Sequence, residues 1–181
     1  MLDGHRPPRY VPFAAILAPH SPARRAPSVA GKLARMSTPY RERASRAAAQ
    51  LGEGAVAFCP TARVQVRNRD SDFPFRPDSY FHYLTGFIEP EAWLVLGADG
   101  RSTLFCQPKD MEREIWDGYR LGPADAPARL GVDAAFSVTE LDAQLPGLLD
   151  GRDTVWYPFG IHPGLETRID GWLASLRARV R

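Results

Sequence analysis

Apolar and polar positions along the chain change period several times, and each change predicts an element. Tyr40, Ala44, Ala47, Ala48 and Leu51 recur at helical spacing. Thr38 and Pro39 precede them as cap and first-turn residues, and Gly52 can end the helix. Ala55 to Cys59 is a continuous apolar run stopped by Pro60, the pattern of a buried strand. Val64 and Val66 alternate with polar residues, which predicts a second strand. Ala92 to Leu96 and Ser102 to Cys106 are apolar runs joined by Gly97-Ala98-Asp99-Gly100-Arg101, a β-hairpin signal. Helix formers fill Lys109 to Trp116 up to Asp117-Gly118, and Ala124 to Leu130 reads as a short helix ending at Gly131. Ala134 to Val138 reads as a strand or its approach. Ser137-Val138-Thr139-Glu140 then has capping-box spacing. It opens a helix with Leu141, Leu145, Leu148 and Leu149 on one face and a kink expected at Pro146. After a strand over Asp153 to Tyr157, Leu165, Ile169, Trp172, Leu173, Leu176 and Val180 give the clearest helical stripe of the chain. Strands alternate with helices around one hairpin. This predicts an α/β fold with a mixed β-sheet flanked by helices on both faces.

One stretch departs from both periods. Asp70 to Glu91 holds Phe73, Phe75, Tyr80, Phe81, Tyr83 and Phe87, interleaved with Asp70, Ser71, Arg76, Asp78 and Ser79 and punctuated by three prolines and Gly86. Aromatic side chains bring large buried areas. The stretch is therefore expected to cross the domain as an ordered, buried segment that the other elements pack around.

Composition changes the picture at the N-terminus. Residues 1–37 are rich in Pro, Arg and Ala, with Asp3 as their one acid. An Arg-rich, acid-poor head suits an organellar transit peptide, but the composition favours a disordered extension. Met36 resembles an alternative start. Residues 38–181 are then the folded domain. Residues 1–46 carry nine Lys or Arg against two acids, so the overall charge of +2 hides a mildly acidic remainder of −5. That argues against a nucleic-acid surface. Cys59 and Cys106 both sit in apolar runs and read as buried structural thiols of a reduced, cytoplasmic protein. No apolar run reaches the length of a membrane span, so no membrane partner is expected.

Candidate chemistry is sparse. His82 lies among aromatics and His162 between Ile161 and Pro163, and neither has a His or Cys at ligand spacing. There is no Gly-x-Ser-x-Gly elbow, phosphate loop or dinucleotide fingerprint. Asp70, Asp72 and Asp78 flank Arg76, while Glu112, Glu114 and Asp117 precede Arg120. With no base, metal or nucleophile beside them, these read as ion pairs that fix the backbone rather than as acid–base catalysts. Trp116 is the ambiguous residue. It ends a charged helix before Asp-Gly, either as a core anchor or as an exposed aromatic that meets a partner or substrate.

Three blocks carry a resemblance: Arg-Asp-Ser-Asp-Phe-Pro-Phe-Arg (69–76), Tyr-Leu-Thr-Gly-Phe-Ile-Glu-Pro-Glu (83–91) and Glu-Ile-Trp-Asp-Gly-Tyr-Arg-Leu-Gly (114–122), continued by Ala-Pro-Ala-Arg-Leu-Gly-Val-Asp (126–133). In order and spacing they resemble the N-terminal domain of aminopeptidase P, the Xaa-Pro aminopeptidases of the creatinase/prolidase family. The resemblance covers Thr38 to Arg181. It implies a mixed-sheet α/β domain that takes no part in the chemistry, contributes to assembly and narrows access for peptides with proline in second position. In that family a C-terminal pita-bread domain performs the hydrolysis with two metal ions, typically manganese, held by two Asp, one His and two Glu. The chain stops where that domain should begin, so the ligands have no counterpart here, and this chain alone is expected to hold no manganese and to be inactive. The resemblance further implies a homo-oligomer and a catalytic domain supplied in cis or as a separate chain. It also implies that Asp70 and Trp116 fall at positions near a neighbouring subunit's active site. Two other readings stay open: a free-standing interaction module of the same fold, and a small hydrolase with an unrecognised site.

Overall fold

A computed structural model describes residues 39–112 and 114–179. The expected extension over residues 1–37 and the cap at Thr38 lie outside them, as does Val180. The elements are α1 (Pro39–Leu51), β1 (Ala55–Pro60), α2 (Ser79–Thr85), β2 (Trp93–Gly97), β3 (Ser102–Cys106), the single turn α3 (Glu114–Asp117), α4 (Gly122–Leu130), β4 (Ala134–Ser137), α5 (Leu141–Leu149), β5 (Thr154–Trp156) and α6 (Leu165–Arg179). The strands form one mixed sheet in the order β4-β3-β2-β1-β5. The β1–β2 and β2–β3 pairs are antiparallel, and β1–β5 and β3–β4 are parallel. The α/β architecture expected from the sequence is the one observed.

Strand alternation divides the core into two layers. Ala55, Ala57, Cys59, Leu94, Leu96, Leu104 and Cys106 face α1, α2 and α4. The intervening Val56, Phe58, Val95 and Phe105 face α5 and α6, where they meet Leu141, Leu145, Leu165, Ile169 and Trp172. Phe58 is fully buried and meets the Trp172 ring edge-on at 6.1 Å. Burying such a ring contributes about 2–3 kcal/mol. The capping box is present: Ser137 and Glu140 satisfy each other's backbone amides and start the 3-10 turn (Val138–Glu140) that leads into α5. Pro146 is buried within α5, which runs on to Leu149.

Three expectations are corrected. First, the aromatic stretch is not a buried crossing. Residues 62–74 run along the surface, Phe73 is 52% exposed, and burial begins only at Phe81. Aromatic content misleads here because Phe73 stacks on the Arg67 guanidinium instead of entering the core. Second, Val64 and Val66 form no strand of the sheet. Val66 makes an isolated bridge to Asp72 and is 73% exposed. Third, the helix expected over Lys109 to Trp116 is reduced to α3, whose last hydrogen bond, from Gly118 N–H to the Glu114 carbonyl, ends at a glycine with φ +83°.

Among the described side chains no ion pair joins Arg76 or Arg120 to these carboxylates, two of which bond to backbone instead. Asp78 caps α2, one carboxylate oxygen accepting from Tyr80 N–H at 2.8 Å and Phe81 N–H at 3.1 Å. Glu114 accepts from the Arg120 backbone N–H at 3.2 Å.

Candidate functional site

Strands β1, β3, β4 and β5 finish at the same end of the sheet where β2 begins, called here the upper end. Besides the 3-10 turn at 138–140, four longer segments emerge there: 61–78, 86–92, 107–121 and 157–164. They contain every exposed large apolar side chain among the described residues. Val64, Val66 and Phe73 lie in the first segment, and Ile88 in the second. Met111, Ile115, Trp116 and Tyr119 lie in the third, and Phe159 and Ile161 in the fourth. Water-facing apolar side chains scattered singly are ordinary, but their confinement to one end marks an interaction surface.

Trp116 is 88% exposed, the most exposed of the set. Its neighbours explain why it stays out. Glu112 N–H bonds to the Asp110 carboxylate at 3.1 Å, and Leu121 N–H donates to Glu89 at 2.8 Å. These bonds hold the segment flat at both ends and leave α3 one turn long. Burial raises the Glu89 pKa, opposed by its hydrogen bond from Leu121.

Asp70 sits at the tip of a small hairpin. The Asn68 side-chain oxygen accepts from the Asp70 and Ser71 amides, both at 2.9 Å, and Phe73 N–H closes the hairpin onto the Gln65 carbonyl at 2.8 Å. The tip is locally braced, and the Asp70 side chain is exposed. Asp70 and Trp116 therefore share one end of the sheet but hang from strands separated by β2, and among the described residues no hydrogen bond or ring contact joins them.

At the same end, between the start of 61–78 and the ends of 86–92 and 157–164, lies a cleft of about 460 Å³, lined in part by Pro60, Thr61, Arg63, Glu91, Trp93, Val138, His162 and Arg168. Sequence reading gave none of these residues a role in a site, since they come from five separate segments. The one local signal is Glu91, next to the Glu-Pro pair, which adopts φ +55° as the only described non-glycine residue in the left-handed region. Its carboxylate accepts from the Gln107 side-chain amide. Arg168 lies against both the Trp93 ring (4.9 Å) and the Trp172 ring (5.1 Å), which meet each other edge-on at 5.8 Å, and donates to Asp142 at 2.7 Å. That hydrogen bond holds the Asp142 carboxyl below the usual carboxylate range. His162 Nε2 lies 3.8 Å from the second Asp78 oxygen and is buried without a hydrogen-bond partner. Burial lowers its pKa, with Asp78 pulling the other way.

These groups do not assemble a reaction centre. His162 faces a carboxylate but no hydroxyl or thiol. Cys59 and Cys106 are buried, and burial pushes the Cys106 thiol up to about 12. Among the described residues, no three of His, Cys, Asp and Glu gather as the kind of cluster a two-metal site needs. His82 packs edge-on against Tyr40 at 5.9 Å. No helix among the described residues is long and apolar enough to cross a membrane.

The comparisons with known proteins agree on what this scaffold is. The chain is 39% identical to the Xaa-Pro aminopeptidase of Escherichia coli K12 over 136 residues, 73% of this chain and 31% of that protein. To the Haemophilus influenzae Xaa-Pro aminopeptidase it is 35% identical over 133 residues, 72% of this chain and 31% of the relative. The chain thus spans about a third of the length of these relatives. Among solved structures, Pseudomonas aeruginosa aminopeptidase PepP superposes with TM-score 0.74 at 41% identity, over 78% of this chain and 33% of that one. Zinc-substituted E. coli aminopeptidase P in complex with product does so with TM-score 0.73 at 37% identity, over 80% and 34%. The family model described as "Aminopeptidase P, N-terminal domain" matches residues 40–156, and the chain belongs to that family.

Proposed function

We propose that this chain works as the non-catalytic N-terminal domain of an Xaa-Pro aminopeptidase, docking through its upper end and narrowing access to a catalytic site carried elsewhere. The observation that carries this reading is the gathering of all described exposed large apolar side chains, Trp116 foremost, into the four loops of one sheet end. A surface of that kind suits a partner that covers it. On this reading the partner is a pita-bread catalytic domain that holds the manganese ions, in cis or as a separate chain, within a homo-oligomer. Asp70 and Trp116 then line the entrance for peptides with proline in second position, and the chain by itself neither cleaves such peptides nor binds manganese stoichiometrically.

The test is a chimera in which this chain replaces the matching third of the E. coli enzyme. The chimera should assemble and release the residue before proline, and Trp116→Ala should lower that activity with the fold intact. A folded, assembled chimera whose cleavage is indifferent to both Trp116→Ala and Asp70→Ala would refute the reading, as would metal-dependent cleavage by the chain alone.

A further inference from the structure

We propose that Glu89-Pro90-Glu91 is a positioning element that ties both roots of the 107–121 loop and so sets where Trp116 stands. On the reading that Trp116 lines an entrance, on which this rests, the triplet is what aims the ring. The triplet closes one of the three sequence blocks, Tyr83 to Glu91, and docking through apolar side chains leaves it without a role.

The loop is closed at its neck. Gly122 lies at φ +72°, where an added Cβ would stand 3.2 Å from the Lys109 Cβ and 3.3 Å from the Lys109 backbone nitrogen. The Lys109 ammonium lies 4.8 Å from the centre of the Tyr119 ring. A surface loop whose ends touch is a compact unit, and its direction is set at its roots.

Each root meets one carboxylate of the triplet. At the first, the Gln107 side-chain amide donates to Glu91. At the second, Leu121 N–H donates to Glu89 Oε1 at 2.8 Å. The preceding amide, Arg120 N–H, donates to Glu114 Oε1 at 3.2 Å, and Glu114 opens the turn that carries Trp116. The hold at Leu121 therefore passes straight into α3. Pro90 is buried between the two glutamates and fixes the backbone there. Two features of the triplet oppose folding. Glu91 adopts φ +55°, a conformation that side chains disfavour. Glu89 Oε2 is buried with no hydrogen-bond partner. Such local costs persist where the surrounding structure must hold a backbone in one place, and here that place is the base of the Trp116 loop.

The test begins with the full chain by itself, with backbone amide relaxation and hydrogen exchange read at Trp116 and Leu121. Glu91→Gly removes one carboxylate and suits the left-handed backbone, so the melting temperature should hold while the Trp116 amide gains fast motion. Glu91→Gln keeps an acceptor for Gln107 and should restore the order. Glu89→Ala should speed exchange at Leu121 about tenfold, the scale of one lost hydrogen bond to a charged group. In the chimera with the E. coli enzyme, Glu91→Gly should raise KM for a peptide with proline in second position about threefold to tenfold, with kcat nearly unchanged. It should add nothing in a Trp116→Ala background, because it acts through the ring. Unchanged motion at Trp116 in both Glu91→Gly and Glu89→Ala would overturn the inference whatever the chimera does. So would a Glu91→Gly effect that persists in full without the ring. A loosened loop in a chimera indifferent to Trp116→Ala would support the tie and refute the entrance reading instead. If Glu89→Ala does not fold, Glu91→Gly decides alone.

Discussion

At the lower end of the sheet, segments 52–54, 98–101, 131–133 and 150–153 join their elements in three or four residues each. At the upper end, 61–78 is long enough to carry a hairpin and 107–121 to carry a helical turn. The lower turns are fixed from several sides. Asp133 accepts from Ser102 N–H at 2.9 Å and from its hydroxyl at 3.1 Å, and pairs with Arg41 at 3.5 Å. Arg41 also donates to the Gly131 carbonyl. Gly54 lies at φ +70°, where an added Cβ would meet the Asp153 carboxylate, and Asp153 N–H bonds to the Gly54 carbonyl at 2.9 Å. The upper loops bond within themselves and to one another, and turn apolar side chains outward. Short turns close a sheet, and length is what frees an end for contact.

That contrast can be broken most sharply at Gly54. Replacing it by alanine should cost about 2 kcal/mol, since a side chain in the left-handed region is strained. Urea unfolding measures it, and a loss below half that would mean the lower end is looser than its geometry. Asp133→Ala should cost about 1.5 kcal/mol, because it leaves the buried Ser102 amide without its acceptor. A neutral result would show that water replaces the carboxylate.

pH sharpens the comparison from the other side. Burial pushes the folded pKa of His162 below the ordinary value near 6.5, with Asp78 opposing it. Below that value the unfolded chain binds more protons than the folded one, and stability must fall as pH drops through this window. Asp142, whose pKa is lowered by Arg168, adds stability present above the ordinary carboxylate range and lost only at lower pH. The first loss should therefore set in as pH falls through the ordinary histidine value of 6.5 and flatten in His162→Gln. If the variant retains the full slope, another group is responsible. The smallest effect belongs to Trp116→Ala, with a loss of at most about 1 kcal/mol, as for other exposed positions. A domain that fails to fold after this change would place the ring in a structural role at odds with its exposure.

The sequence reveals elements more readily than it reveals their surroundings. β1, the hairpin of β2 and β3, and α6 follow from runs and spacings contained within one segment, and the structure keeps them. The stripe of α6 is read correctly at Leu165, Ile169 and Trp172, all buried against Phe58 and its layer. Asp70 to Glu91 is buried only in its second half, at Phe81, Leu84 and Phe87, because aromatic content alone does not fix burial. Phe73 satisfies itself against Arg67, and Val66 alternates with polar neighbours without a sheet to join. Trp116 was legible as ambiguous, its acidic and basic neighbours and the following Asp-Gly already arguing for exposure. The cleft was not legible at all. Thr61, Glu91, Val138 and His162 meet only because three strands end together and α6 begins above them, and no local pattern encodes that meeting.

The narrowest strand has a consequence for how the chain is made. β5 has three residues and pairs in parallel with β1, Ala55 opposite Thr154. The hairpin of β2 and β3 forms from neighbours in sequence, whereas this pair must wait for almost the whole domain to leave the ribosome. Until then β1 presents an unpaired backbone edge, and Ala55 to Cys59 is an apolar run. During synthesis that edge is where a holding chaperone has most to gain and where two nascent chains would most readily stick.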